Sequence, residues 1–338
     1  MADRRSVFTS AEVIELSASF ICAADEVWRL QRGSEADCLF FQRAVNGGER
    51  ITDKGSRQGT WIFAPSGKLL TRVNTRDPGA QLATMHAALA AFEALPAEER
   101  ALAPDAELDA AHRWEDSFPE DGLALERIVR ELDDEGAAAR SWNRDFAWFS
   151  EAEIDAAMPA DLSSGERIEL PLLAQRLARF HLVDNARGQT LPYAPAEVER
   201  AQLIAIPRAR VGERWVVDLT GSTRADAGDE WLGGETLWKP KRVEPHGISC
   251  SLAGRATWNA KERRFEKFEL AGVAHHWGKT VMNGRWRDDS PGKLAFFLQR
   301  TERRIAPAFV GVYDAEWIER PSVPTWRDSP SEAGLETD

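Results

Sequence analysis

The stretch ISCSLAGRATW-NAKERR-FEKFELAGVA, residues 248–274, decides the fold of the larger part of the chain. Its first and last segments, 248–258 and 265–274, alternate apolar residues with polar or small ones, which is typical of half-buried β-strands. The six residues between them, 259–264, are polar and suit a turn. The sequence therefore predicts an antiparallel hairpin here.

Similar alternation continues through the second half of the chain and predicts further strands at 203–206, 215–219, 294–298 and 309–313. Together these strands predict an antiparallel sheet, barrel or sandwich. A few helices are expected to pack on it. They are predicted at 122–133 from the spacing of apolar residues, after the capping box Ser150-Glu-Ala-Glu153, and at 170–180.

Upstream, residues 59–63, 64–67 and 68–70 read as strand, tight turn and strand. Helices are predicted from Ser10, over 35–45, and from Asp77-Pro78 to Pro96, because each has a cap, a first-turn proline or an apolar stripe. A strand is predicted at 20–24. The whole chain is therefore expected to belong to the α+β class.

The order helix, strand, helix, hairpin, helix over roughly residues 6–96 resembles a thioredoxin-like α/β domain of uncharacterised bacterial proteins. The resemblance extends to the amino-acid sequences of two segments, FTSAEV (residues 8–13) and FAPSGK (residues 63–68). That family carries its CxxC dithiol just upstream of Val7 and a cis-proline where the hairpin opens. This chain has Arg4-Arg5-Ser6 and Arg57-Gln58-Gly59 at those places, so the resemblance implies a thioredoxin-like domain without dithiol chemistry.

The length of 338 residues suits two domains, each with its own core. We expect the thioredoxin-like domain at 1–96 and a connector rich in Pro, Glu, Asp and Ala at 97–121. A domain dominated by antiparallel strands should follow at 122–320. The Pro-, Ser- and acid-rich residues 321–338 predict a flexible tail.

Composition excludes several classes of partner. The 55 acidic residues outnumber the 43 basic ones, and the formal charge of -12 opposes nonspecific binding to nucleic acid or to an anionic membrane. No apolar stretch is long enough to span a bilayer, and no secretion signal follows the N-terminus. Three widely spaced cysteines fit reduced thiols, so a cytoplasmic location is expected.

The predicted pairing of the two hairpin strands brings candidate metal ligands close together. Residues whose numbers sum to about 523 should face each other, which places His246 opposite the region of His276. His246 and Cys250 share one strand face, and His276 points to the same side, or His275 does if a bulge shifts the register. With a carboxylate from Asp288 or Asp289, these residues predict a site for zinc or another transition metal. The alternative is a set of hydrogen-bonded structural histidines.

Other candidates are weaker. Cys38 lies on a predicted helix, but the neighbouring carboxylates Glu35 and Asp37 oppose thiolate formation. His181 and Asp184 have the spacing of a base and its orienting carboxylate, without a matching nucleophile. The segment from Asn283 through Arg285 to Asp288 and Asp289 is a polar loop, read either as a site or as a salt-bridged surface.

We therefore expect a thioredoxin-like protein without a dithiol that acts as a scaffold binding a small-molecule or protein ligand. The alternative is a metal-binding protein or metalloenzyme that uses the His/Cys cluster. The absence of GxGxxG, Walker and HExxH motifs argues against dinucleotide binding, nucleotide hydrolysis and zinc proteolysis. The sequence leaves open whether the chain is an enzyme.

Overall fold

The computed structural model divides the chain into two compact units, Met1–Arg113 and Trp114–Asp338. The division falls inside residues 97–121. The structure describes residues 7–8, 10–24, 27–34, 36–53, 55–75, 77–102, 118–159, 161–163, 165–188, 190, 192–228, 244–280, 283–285 and 288–307. Within these residues no helix combines the length and apolarity that crossing a bilayer requires.

The first unit combines helices with one β-hairpin. Its elements are α1 (Ala11–Ser17), α2 (Val27–Arg32), α3 (Ala36–Val45), β1 (Thr60–Phe63), β2 (Leu69–Val73) and α4 (Pro78–Glu93). The predicted hairpin and the helix that starts at Asp77-Pro78 are confirmed: Gly67 takes the turn at φ +85°, and the Asp77 side chain accepts a hydrogen bond of 3.0 Å from the Gly79 N–H.

A small core joins α1, α4 and the hairpin. It contains Val13, Ile62, Met85 and Ala88, with Leu82 packed against them. The strand predicted at 20–24 is not formed, since residues 21–24 have no regular structure and are exposed. Cys22, which lies in this segment, is exposed as a result.

The second unit is built on one antiparallel sheet of eight strands in the order β4-β3-β10-β9-β8-β7-β6-β5. The strands are β3 (Leu123–Leu132), β4 (Ala138–Phe149), β5 (Ile168–Glu169), β6 (Val198–Val211), β7 (Arg214–Ala227), β8 (His246–Asn259), β9 (Arg264–Gly278) and β10 (Gly292–Arg300). The prediction of an α+β chain whose second half is dominated by antiparallel strands agrees with this architecture.

One face of the sheet, the inner face, carries the core. Helices α5 (Glu151–Ala157) and α6 (Pro171–Arg176) contribute to this core, as does the π-helical turn Leu177–His181 that continues α6. Ser150 and Glu153 form the predicted capping box at the start of α5. The largest fully buried apolar side chains include Trp258, Phe265 and Phe268.

The predicted hairpin of β8 and β9 is confirmed, and so is its register near the turn. Trp258 pairs with Phe265, and a bulge next to this pair shifts the rest of the ladder by one residue, so that Ile248 pairs with His276. Inner and outer residues alternate along both strands as predicted. His246, Cys250 and His276 are buried, and His275 points to the exposed side.

The helix predicted at 122–133 is wrong, because these residues form strand β3. The sequence of β3 does not show the regular alternation of apolar and polar residues, because the inward positions hold Arg127 and Glu131 besides apolar residues. Charged residues at inward positions imitate the polar positions of an amphipathic helix. Two further predictions, the strand at 309–313 and the tail at 321–338, lie outside the described residues.

We predict that Leu270→Ala lowers the free energy of unfolding by about 2–5 kcal/mol, because Leu270 is fully buried on the inner face and truncation leaves a cavity. The matched control is Leu172→Ala, since Leu172 is 38% exposed on α6. Urea unfolding of both variants checks this. Equal losses for the two substitutions would contradict the assignment of the core to this face.

Candidate functional site

A network of buried charged side chains lies at one end of the inner face and is centred on Asp184 and Arg285. The Arg285 guanidinium binds both oxygens of the Asp184 carboxylate, through Nε to Oδ2 and through Nη2 to Oδ1 at 2.9 Å. Asn283 donates a further hydrogen bond of 3.2 Å to Asp184 Oδ2. Both Asp184 and Arg285 are buried, so this pair is shielded from water.

Glu131 on β3 extends the network. Its Oε1 accepts from Arg285 Nη1 at 3.0 Å and from Arg187 Nε at 2.6 Å. Arg187 also binds Asp288 at 2.7 Å, where the network reaches the surface. Three separate parts of the chain, around residues 131, 184 and 285, are thereby joined by charge.

The protonation states follow from this pairing. Burial opposes the charge on Arg285, but hydrogen bonds to Asp184 and Glu131 outweigh it and raise the pKa of Arg285. Burial also opposes the charge on Glu131, yet Ser141, Arg285 and Arg187 lower the pKa of this carboxyl. Hydrogen bonds from Ser290 and Arg187 lower the pKa of Asp288 to about 2. Arg285, Glu131 and Asp288 are therefore ionised at neutral pH.

Two histidines from the hairpin border the network. His276 Nδ1 lies 3.7 Å from Asp184 Oδ2, and the imidazole packs so closely on Gly292 that a β-carbon there would lie 2.6 Å from Nε2. Burial lowers the pKa of His276, although Asp184 opposes this shift. His246 stacks on Tyr193 with 5.4 Å between ring centroids, and its Nδ1–H donates to the Glu244 carbonyl, 3.0 Å away.

A second buried charge lies on β3. Arg127 is fully buried; its Nη1 donates to the main-chain oxygen of His181 at 3.2 Å and to Asn185 Oδ1 at 2.9 Å. Its Nη2 lies 3.7 Å from Asp145 Oδ2 on β4. Burial, together with the charges of Arg127 and Arg176, holds the pKa of His181 well below its usual range. His181 is therefore neutral at physiological pH.

The predicted metal ligands are not assembled. His275 faces outward, while Asp288 is half-exposed and binds Arg187. Burial raises the pKa of Cys250 to about 12, which disfavours the thiolate that zinc prefers. Across the described ranges, no three His, Cys, Asp or Glu side chains are grouped so as to hold a metal ion.

The other candidates are also placed by the structure. Cys38 is fully buried on α3, so solvent does not reach the thiol. Asp184 is oriented toward Arg285 and His276 instead of acting as the orienting carboxylate of His181. The loop candidates separate: Asn283 and Arg285 are buried in the network, whereas Asp289 is exposed and lies 3.3 Å from Lys279.

Sequence reasoning missed several members of these clusters, among them Arg127, Glu131, Arg187 and Tyr193. A helix over 122–133 would place Arg127 and Glu131 on its polar side. Their spacing of four residues also fits two alternate inward positions of a strand, and this was the available signal. Nothing in the local sequence distinguishes Arg187 or Tyr193 from surface residues.

A separate cleft of about 310 Å³ lies in the first unit beside the hairpin. It is lined by Ser56, Arg57, Gln58, Trp61, Arg72, Val73 and Asn74. The Arg72 guanidinium lies over the Trp61 ring, 5.2 Å from its centroid, and the indole N–H donates to the Arg57 carbonyl at 2.7 Å. Arg57 is paired with Asp53 at 2.5 Å. Arg72 has no carboxylate partner in the part of the chain that the structure describes.

Comparison with known proteins found no matching family model, no matching curated protein and no matching solved structure.

We predict that Arg285→Met lowers the free energy of unfolding by about 3–5 kcal/mol, because it leaves Asp184 without its buried counter-charge. Arg208→Met is the matched control, since Arg208 is half-exposed and pairs with Asp218 at the surface. Its cost should stay below about 1 kcal/mol. Urea unfolding of both proteins measures the difference. A similarly small loss for Arg285→Met would show that the network does not support the fold.

We also predict that stability falls as pH is lowered below about 6.5. The pKa values of His181 and His276 are lowered in the folded protein, so the unfolded chain takes up protons first. Each histidine contributes a slope of up to about 1.4 kcal/mol per pH unit. The contribution of Glu131, whose pKa is also lowered, is lost at still lower pH.

Urea unfolding between about pH 7.5 and pH 5 checks this slope. His276→Gln should reduce it, whereas His86→Gln should leave it unchanged because His86 is exposed on α4. An unfolding free energy that stays constant over this range in the wild-type protein would contradict the prediction.

Proposed function

We propose that this chain is a binding protein: a thioredoxin-like platform without a dithiol, whose first unit binds a small anionic ligand. The observation that carries the proposal is the cleft beside the hairpin, where the Arg72 guanidinium lies over the Trp61 ring and has no carboxylate partner within the described residues. The cleft includes Arg57 and Gln58, the place where the resemblance locates the proline of dithiol enzymes.

The chemistry of the lining residues favours an anion. A guanidinium that lies over an indole ring still has N–H groups available for hydrogen bonds, and its planar arrangement of donors suits a carboxylate or a phosphate group. The amides of Gln58 and Asn74 and the hydroxyl of Ser56 add neutral hydrogen-bonding groups around it. Arg57 contributes less charge, because Asp53 compensates it.

The size of the cleft limits the ligand. A volume of about 310 Å³ lies at the lower end of the range found for small-molecule sites. The chain carries a net charge of -12, which repels anions over most of its surface. Specific binding therefore depends on local contacts with Arg72.

The buried network of the second unit supports a binding role for the chain more than a catalytic one. Asp184 and Glu131 are already engaged by arginines, and burial disfavours the thiolate of Cys250. Groups held in this way stabilise the fold, and their hydrogen-bonding capacity is already used within the protein instead of being available to a substrate. The alternative of a metal site gains no support, because the described residues contain no cluster of ligands.

The test is isothermal titration of the full chain with inorganic phosphate, citrate and glutamate as probes, at low ionic strength. We expect at least one probe to bind, and Arg72→Met to weaken its binding about tenfold or more, as loss of a charge-assisted hydrogen-bonded pair requires. Arg100→Met is the matched control, since Arg100 is an exposed arginine of the same unit outside the cleft. Absence of binding at millimolar concentration, or equal losses in both variants, would overturn the proposal.

A further inference from the structure

The outer face of the sheet, opposite the core, carries a band of small and apolar side chains at its centre. Val273 is 52% exposed and Phe297 is 38% exposed, and they lie on the adjacent strands β9 and β10. Ala271 pairs with Phe297 across these strands, and Ala295 pairs with Val273. Each cross-strand pair therefore joins one large residue to one small residue. The large residue is on β10 in the first pair, as Phe297, and on β9 in the second, as Val273.

Charged side chains lie on either side of this band. Glu269 on β9 is exposed and forms no ion pair with any described residue; Arg255, its neighbour across the strand pair, binds Asp218 at 2.9 Å. Lys293 on β10 lies toward the opposite end of the face, beside His275. Its ammonium donates to the Asp134 carbonyl at 2.9 Å and has no carboxylate partner among the described residues.

These positions are symmetric about Gly272. Glu269 lies three residues to one side of Gly272, and the row of His275 and Lys293 lies three residues to the other, which is about 10 Å in each direction along a strand. Val273 and Ala271 lie one residue to either side. A rotation of 180° about an in-plane axis perpendicular to the strands at Gly272 exchanges Val273 with Ala271 and Glu269 with His275. On the neighbouring strand β10 it exchanges Lys293 with Gln299.

We infer that the outer face docks against the outer face of a second copy of this chain. The axis at Gly272 places Val273 of one copy over Ala271 of the other, and Phe297 over Ala295, so that large side chains meet small ones. It also places Glu269 of each copy over His275 of the other, with Lys293 beside it on the neighbouring strand. An isologous interface of this kind requires such self-complementarity, which a surface for an unrelated protein does not need.

The available area suits a weak dimer. The six strands β4, β3, β10, β9, β8 and β7 span about 29 Å, and seven residues along them span about 23 Å, which gives roughly 670 Å² on each copy. Specific interfaces begin at about 600 Å² per partner. The two-fold axis perpendicular to the strands keeps the strands of the two copies antiparallel where they face each other, which lies within the range of about 30° found between the sheets of a β-sandwich.

The experiment is sedimentation equilibrium of the full chain over the micromolar range. We expect a monomer–dimer equilibrium in the wild type. Val273→Glu should raise the dissociation constant of the dimer at least tenfold, because this change buries carboxylates at the centre of the interface. Val211→Glu is the matched control, since Val211 is 72% exposed at the end of β6 and away from the apolar band. Thermal melting at the lowest concentration confirms that each variant is folded.

Substitutions that reverse the charges of Glu269 and Lys293 test the relative orientation of the two copies. Glu269→Lys and Lys293→Glu should each weaken the dimer about tenfold, because each brings like charges together, and the double variant should restore it. A wild type that remains monomeric throughout would overturn the inference. It would also be overturned by a dimer that Val273→Glu leaves intact, or by a double variant no tighter than the single ones.

Discussion

The ion pair between Asp184 and Arg285 is the constraint on which the second unit depends. A carboxylate and a guanidinium removed from water are stabilised only if each satisfies the other, and here the guanidinium binds both oxygens of Asp184. Its remaining nitrogen binds Glu131 on β3. The segment around Asp184, which follows the π-helical turn, is thereby fixed relative to the sheet. His276 on β9 lies beside the same Asp184 carboxylate.

This constraint limits what the site is able to do. A carboxylate saturated by an arginine and an asparagine is a poor base and a poor metal ligand, since its lone pairs and its charge are already used. The neutral state of His276 and His181 follows from the same burial, which disfavours the imidazolium form. The polar interior therefore acts as a brace, and the exposed features carry the proposed interactions: the arginine–tryptophan cleft of the first unit and the outer face of the sheet.

The two faces of the sheet show how one strand pattern serves both purposes. On β9 the inward positions hold large apolar residues such as Phe268 and Leu270, which fill the core. The outward positions near the centre of the strand hold Ala271 and Val273, which are exposed. Small side chains on a sheet expose few polar groups and allow close approach of another flat surface. The alternation that makes the core thus also creates a surface suited to a second sheet.

Local chemistry by itself determined the hairpin of β8 and β9, the hairpin of the first unit and the starts of α4 and α5, because turns and caps depend on neighbouring residues. It also determined which hairpin positions face inward. Only the tertiary structure decided that residues 123–132 form a strand and that Asn283 and Arg285 are buried. Arg285 and Glu131 are 154 residues apart, so no local pattern reveals that each compensates the charge of the other. A charged residue reads as a surface residue until its partner is known, and the fold alone supplies that partner.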